Sequence, residues 1–289
     1  MFKGCFVAIV TPFKGGEIDE DTFRQLIQFQ LEKGVDGIVP CGTTGESPVL
    51  SHEEHRRLIK ITVEEVKGKA AVIAGTGSNS TKETEELTVY AKQVGADGAL
   101  VITPYYNKPT QKGMEKHYQK LAEIGLPIII YNVPSRTGVN ILPSTVAKLS
   151  KLKNIAGIKE ASGKMDQVSE IILSSDPEFA VLSGDDSLTL PILSLGGVGV
   201  ISVLANILPK EVTELVKAWL EGEVEKAKKM HYKLFSLFKA MFIETNPIPV
   251  KTAMAKLKMI PKEWRLPLCE MEKGNEETLE KILSQQGLI

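Results

Sequence analysis

Gly98-Ala99-Leu100-Val101-Ile102-Thr103 is followed by Pro127-Ile128-Ile129-Ile130-Tyr131-Asn132, and then by Ile155-Ala156-Gly157-Ile158-Lys159-Glu160. Each run is short, nearly continuous in apolar residues and rich in β-branched side chains. A strand with one wet face would alternate polar and apolar positions. Runs without that alternation suit parallel strands covered on both faces. Five more runs resemble them, at residues 6–11, 37–41, 70–74, 180–183 and 198–203.

Between the runs the apolar period lengthens to that of a helix. Phe23, Leu26, Ile27 and Leu31 share one face, and Gly34 is a natural stop. Ser51 and Glu54 have the spacing of a capping box, ahead of Leu58, Ile59, Thr62, Val63 and Val66. Ser80 and Glu83 repeat that spacing ahead of Leu87, Tyr90, Ala91 and Val94. Eight strand–helix alternations predict an α/β fold closed as a (β/α)8 TIM barrel. A doubly wound sheet is disfavoured. Its first strand would lead into G-x-G-x-x-G, whereas here it ends in Thr11-Pro12-Phe13. From residue 208 the strand signals stop. Helices are expected at 209–220, 223–243, 249–257 and 276–286. The expected division is a barrel over 1–224 and a C-terminal helical extension over 225–289.

Bulk properties narrow the function classes. The 289 residues carry 35 Lys and Arg against 36 Asp and Glu, a net charge of −1. That balance lacks the basic footprint of a nucleic-acid binder. No apolar run approaches membrane-spanning length. Three cysteines without a C-x-x-C pair suggest neither a disulfide framework nor a zinc knuckle. The N-terminus shows no basic segment followed by an apolar stretch, so a cytoplasmic location is expected.

In such barrels reactive groups gather at the C-terminal strand ends. Lys159 closes an apolar run there. Desolvation would lower its pKa and expose a neutral amine able to attack a carbonyl. The plainer alternative is a rim lysine, snorkelling or paired with Glu160. Gly42-Thr43-Thr44-Gly45-Glu46 offers turn amides and two hydroxyls ahead of a helix, suited to a carboxylate. It also reads as an ordinary glycine-rich turn. Tyr131 could relay protons, or simply sit as an amphipathic rim tyrosine. Arg136 could clamp a carboxylate, or lie in an exposed loop. His52 and His55 read as solvated helix residues, Cys41 as a buried small residue, and Asp185-Asp186 as lacking a third metal ligand.

Taken together the chain resembles the dihydrodipicolinate synthase family over nearly its whole length. The stretches that carry the resemblance include Gly42-Thr43-Thr44-Gly45-Glu46-Ser47, Tyr131-Asn132-Val133-Pro134-Ser135-Arg136-Thr137-Gly138 and Gly157-Ile158-Lys159-Glu160. Leu182-Ser183-Gly184-Asp185-Asp186 and Asn246-Pro247-Ile248-Pro249-Val250-Lys251 also match. The resemblance implies an imine between Lys159 and pyruvate, formed without metal or organic cofactor. It implies proton relay by Thr43, Tyr131 and Tyr106, the last from a neighbouring subunit of a homotetramer. Thr43, Thr44, Gly184 and Ile201 would line the pyruvate site. Arg136 would hold the carboxylate of aspartate semialdehyde. Condensation of the two would lead toward diaminopimelate and lysine. Ser47, His52, His55, Asn79, Glu83 and Tyr105 match the positions at which some family members bind lysine as an inhibitor, with Pro48 in place of the alanine expected. Related sugar-acid aldolases share the lysine and tyrosine, but do not need that arginine.

Overall fold

The computed structural model describes residues 2–289. Ten strands occur in it: β1 (Gly4–Ala8), β2 (Phe13–Lys14), β3 (Glu17–Ile18), β4 (Gly37–Val39), β5 (Ala71–Gly75), β6 (Gly98–Ile102), β7 (Ile128–Asn132), β8 (Ile155–Glu160), β9 (Ala180–Ser183) and β10 (Gly199–Ser202). Eight of them pair in parallel and close in the order β1-β10-β9-β8-β7-β6-β5-β4. The helices are α1 (Glu20–Glu32), α2 (His52–Val66), α3 (Thr81–Val94), α4 (Gln111–Ala122), α5 (Pro134–Thr137), α6 (Pro143–Leu149), α7 (Met165–Ser174), α8 (Thr189–Ser194) and α9 (Pro209–Leu220). Three more follow: α10 (Val224–Ala240), α11 (Ile248–Lys256) and α12 (Lys273–Gln285). The expected TIM barrel with C-terminal helices is therefore present.

Two apolar layers explain the unalternating strand sequences. Phe6, Ala8, Val39, Ile73, Leu100, Ile129, Tyr131, Leu182 and Ile201 form the inner layer. Cys5, Val7, Ile38, Val72, Val101, Ile128, Ile130 and Val200 belong to the outer layer, packed under the helices. An apolar strand residue thus meets apolar neighbours whichever way it points. Gly37 makes room for this filling, since a Cβ there would overlap the Phe6 ring and the Ala71 carbonyl.

Several ends differ from expectation for local reasons. After Ala8 only Ile9 N still donates to the neighbouring strand, to Val39 O at 3.2 Å, and residues 10 and 11 are held by side chains. Asn206 Oδ1 accepts from Val10 N at 3.1 Å, and Thr11 Oγ1 donates to Gly45 O at 2.7 Å. β4 stops at Val39 because Cys41 adopts φ 55°. A two-stranded hairpin, β2-β3, was not expected. Its turn residues Gly15 and Gly16 both have positive φ, 63° and 84°, the requirement of a tight primed turn. Ser51 and Glu54 form the full capping box. Ser80 caps α3, but the Glu83 carboxylate turns instead to the Ser78 hydroxyl, so that box is half formed.

Candidate active site

Strand register brings the central pair together. Tyr131 on β7 lies opposite Lys159 on β8, and Asn132 lies opposite Glu160. Because side chains alternate along a strand, Tyr131 and Lys159 share the inner side. Asn132 and Glu160 share the outer one. The Lys159 ammonium sits 4.2 Å from the centre of the Tyr131 ring. Lys159 is only 5% exposed. Burial pulls its pKa down to about 7, against the opposing pull of Asp186, while the Arg136 charge lowers it further.

Glu160 does not pair with Lys159. Its carboxylate accepts from Asn132 Nδ2 at 3.0 Å, Gln167 Nε2 at 3.2 Å and Ser162 N at 2.6 Å. Asp186 is similarly committed, accepting from Ser202 Oγ at 2.5 Å and from the amides of Val203 and Leu204. The rim-lysine alternative therefore fails on geometry: Lys159 is buried and bonded to neither carboxylate.

The Gly42–Glu46 segment is a tight double turn. Gly45 N donates to Gly42 O and Glu46 N to Thr43 O, both at 3.1 Å. A long helix does not follow directly. A short 3-10 turn, Ser47–Val49, intervenes, and the α2 terminus is closed by its own Ser51 cap. The expected contribution of a helix N-terminus is therefore missing, and the anion-binding potential rests on the turn itself. Thr44 is buried and accepts a hydrogen bond from Asn246 Nδ2 at 3.0 Å. That leaves its own hydroxyl hydrogen free for an anion.

Tyr131 is also buried, which pushes its phenol up. The Arg136 charge and the Thr43 hydroxyl pull it back. Arg136 stands on α5, where its guanidinium donates to Asn246 O at 2.9 Å. It is exposed, yet held. Gly184 abuts Lys159, and a Cβ there would come within 3.1 Å of the Lys159 Cγ and Cε atoms. Ile201 lies in the inner layer. Tyr106 is the outlier. It is 87% exposed with φ 70°, and it does not line the cavity described below.

One cavity of about 510 Å³ has Thr43, Tyr131 and Arg136 on its wall, together with Ser47, His52, His55, Glu83 and Tyr105. Asn79 is not on that wall; its carbonyl accepts from Asn107 Nδ2. His55 is not a solvated residue. It is buried, donates to Gly75 O at 2.6 Å, and burial lowers its pKa. His52 is exposed, 3.5 Å from a Glu83 oxygen. Cys41 is buried, as expected, and burial raises its pKa. Among the described residues no three His, Cys, Asp or Glu side chains cluster as metal ligands, and no helix is long and apolar enough to cross a membrane.

The sequence alone assigns no role to Asn246 or Lys251. Both reach the Gly42–Glu46 turn, from about 200 residues away. The available signal was a lysine set in the otherwise apolar run Ile248-Pro249-Val250-Lys251-Thr252-Ala253-Met254.

A family model described as the Dihydrodipicolinate synthetase family matches residues 1–286. A 4-hydroxy-tetrahydrodipicolinate synthase from Syntrophus aciditrophicus is 57% identical, with all of both chains covered. The crystal structure of dihydrodipicolinate synthase from Aquifex aeolicus superposes with a TM-score of 0.98 at 52% identity, covering 99% of each chain. That of the Cyanidioschyzon merolae enzyme with lysine bound gives 0.96 at 40% identity, covering 100% of this chain and 99% of that one. With the eight-stranded barrel and the Lys159–Tyr131 pair already in place, these matches show that the chain belongs to the dihydrodipicolinate synthetase family.

Proposed function

We propose that this protein is a lyase that condenses pyruvate with L-aspartate 4-semialdehyde to give 4-hydroxy-tetrahydrodipicolinate, on the route to diaminopimelate and lysine. The observation that carries the reading is Lys159, a buried lysine with a pKa near 7, facing Tyr131 and bonded to no carboxylate. Its neutral amine attacks the pyruvate keto carbon. Water leaves from the carbinolamine, and the resulting iminium withdraws electrons from the methyl group. Loss of a methyl proton gives an enamine, which adds to the aldehyde carbon of the second substrate. The amino group of that substrate then attacks the imine carbon, closes the ring and releases Lys159. The iminium is the electron sink, so no cofactor is invoked.

Tyr131 and Thr43 would carry protons to and from the carbinolamine, with Tyr106 of the partner subunit completing the relay. The exposure of Tyr106 supports that role, since a side chain so exposed in one protomer can complete a site in another. Thr44, Gly184 and Ile201 would line the pyruvate site. Arg136, held by Asn246 O, would bind the semialdehyde carboxylate. The homotetramer and the cytoplasmic location belong to the same proposal, as does the division into a barrel over 1–224 and an extension over 225–289. So does lysine inhibition through Ser47, His52, His55, Asn79, Glu83 and Tyr105. Five of those six line one cavity with Tyr131 and Thr43, which supports coupling between the two sites.

The test is a coupled assay with both substrates, dihydrodipicolinate reductase and NADPH. NADPH loss that requires both substrates is expected. Arg136→Ala should raise the KM for the semialdehyde by about tenfold or more while sparing the pyruvate KM, as loss of a charge-assisted clamp predicts. Activity on hydroxylated sugar acids instead, indifferent to Arg136, would overturn the assignment.

A further inference from the structure

The pyruvate-binding turn carries an unusual anchor. Glu46 ends the turn in a left-handed conformation, φ 55°, as Cys41 does at its start. Such backbone is uncommon for residues with a Cβ and persists only where the surroundings enforce it. Glu46 is fully buried, and Lys251 Nζ lies 2.5 Å from its Oε1. Lys251 itself is fully buried on α11, 4.4 Å from the centre of the Phe13 ring. The second carboxylate oxygen of Glu46 has no partner.

A fully buried ion pair is a poor way to gain stability, because desolvating two charges offsets most of their attraction. What such a pair does supply is a fixed geometry. Here it fixes the residue whose amide closes the second half of the turn onto Thr43 O. The same C-terminal arm holds the turn a second time, through Asn246 Nδ2 to the Thr44 hydroxyl. Beyond α11, Arg265 holds the neighbouring segments, donating to the Glu54 carboxylate, Val49 O and Gly16 O.

We propose that Lys251 is a positioning residue for the pyruvate site, acting through Glu46 to hold the Thr43–Thr44 turn in its anion-binding shape. Lys251 does not touch substrate, and Glu46 does not react. The pair sets where the Thr43 and Thr44 hydroxyls and the turn amides point. The inference rests on the functional reading above for its pyruvate readout, but not for its structural one.

The test is the double variant Glu46→Gln/Lys251→Met, which removes both charges together and so leaves no buried charge uncompensated. Thermal unfolding, steady-state kinetics and amide hydrogen exchange of residues 42–47 without substrate are measured together. The expected result is a folded protein whose pyruvate KM rises by about tenfold or more, as small misplacements of binding groups produce. The semialdehyde KM should stay close to wild type, and exchange in the turn should be faster. A merely structural pair would lower the melting temperature without that split. A folded double variant with wild-type pyruvate KM and wild-type exchange overturns the proposal. If the double variant does not fold, Glu46→Leu alone decides. It removes the carboxylate that meets Lys251, and the lysine left behind can shed its proton when buried, so an unchanged pyruvate KM in the folded single variant is equally fatal. Exchange separates the two readings: faster exchange in a protein whose wild type never binds pyruvate would sink the function and leave the positioning role standing.

Discussion

Two lysines are buried in this protein, one in the barrel and one in the C-terminal helices, and they meet opposite fates. Lys159 ends β8 and Lys251 lies on α11. Each rests near an aromatic ring, Tyr131 at 4.2 Å and Phe13 at 4.4 Å. Burial lowers the pKa of each. The difference is the partner. Lys251 has the Glu46 carboxylate in direct contact, and that contact pushes its pKa back up. Lys159 has only the through-space pull of Asp186, whose oxygens are already taken by Ser202, Val203 and Leu204. Burial alone thus does not make a nucleophile. Burial without a bonded counter-ion does, because the neutral amine is then the cheaper state near neutral pH.

The sharpest way to break that contrast is covalent trapping. Borohydride reduction in the presence of pyruvate should label Lys159 and leave Lys251 unmodified, as read by peptide mass spectrometry. Lys159→Ala should lose the label and turnover together, by about 10³-fold or more, the scale seen when a covalent nucleophile is deleted. Its barrel should remain folded by circular dichroism, since shortening Lys159 strands no bonded carboxylate. A label on Lys251, or on both, would end the distinction.

The second effect concerns the space around Lys159. Gly184 follows β9 and lies directly against the lysine stem. A methyl group there would come within 2.8 Å of the Ala161 Cβ and 3.1 Å of Lys159. The tighter overlap is with Ala161, whose Cβ rides on the backbone just past β8, so the end of β8 that carries Lys159 must shift with it. Gly184→Ala should therefore cost roughly 10²-fold in kcat/KM for pyruvate with little change in fold, in line with the penalty for displacing a reacting group by about 1 Å. The positioning role of Lys251 acts at longer range, so its variants should weaken pyruvate binding while the label at saturating pyruvate still falls on Lys159.

Much of this was legible in the sequence, and the reason is local. The strands announced themselves because both faces of each are covered, which forces unbroken apolar runs such as Ile128-Ile129-Ile130. Lys159 stood out because it interrupts such a run. The Ser51 cap was legible because its partner is three residues away. What the sequence hid depends on distant or unpaired geometry. The Gly15-Gly16 hairpin joins strands of two residues each, too short to show a period. His55 looked solvated, since nothing nearby in sequence reveals that the Gly75 carbonyl, 20 residues on, accepts a hydrogen bond from its ring. Glu160 looked like a partner for Lys159 because the two are adjacent, yet strand alternation sends adjacent residues to opposite sides. Lys251 and Glu46 are 205 residues apart. Their pairing needs the chain to return across the barrel mouth, which no local pattern encodes.

The two lysines should also differ in a titration. A neutral amine is the reactive form of Lys159, and its pKa lies near 7. The fraction reactive therefore falls as pH drops below that value and saturates above it. The kcat/KM for pyruvate should decline by about tenfold per pH unit below 7, and flatten above about 8. The sign matters: a pKa lowered from 10.5 moves the inflection into the neutral range, where an unperturbed lysine would still be climbing near pH 10. Asp186 offers a second handle, because its negative charge is the influence that raises Lys159. Asp186→Asn should move the inflection to lower pH. The same substitution leaves the Lys251–Glu46 pair untouched, so exchange of residues 42–47 should not respond. An inflection that stays fixed in Asp186→Asn would assign it to a group other than Lys159, and a wild-type profile still rising at pH 9 would mean that Lys159 keeps its proton. In that case the two buried lysines would not differ in the way their surroundings indicate.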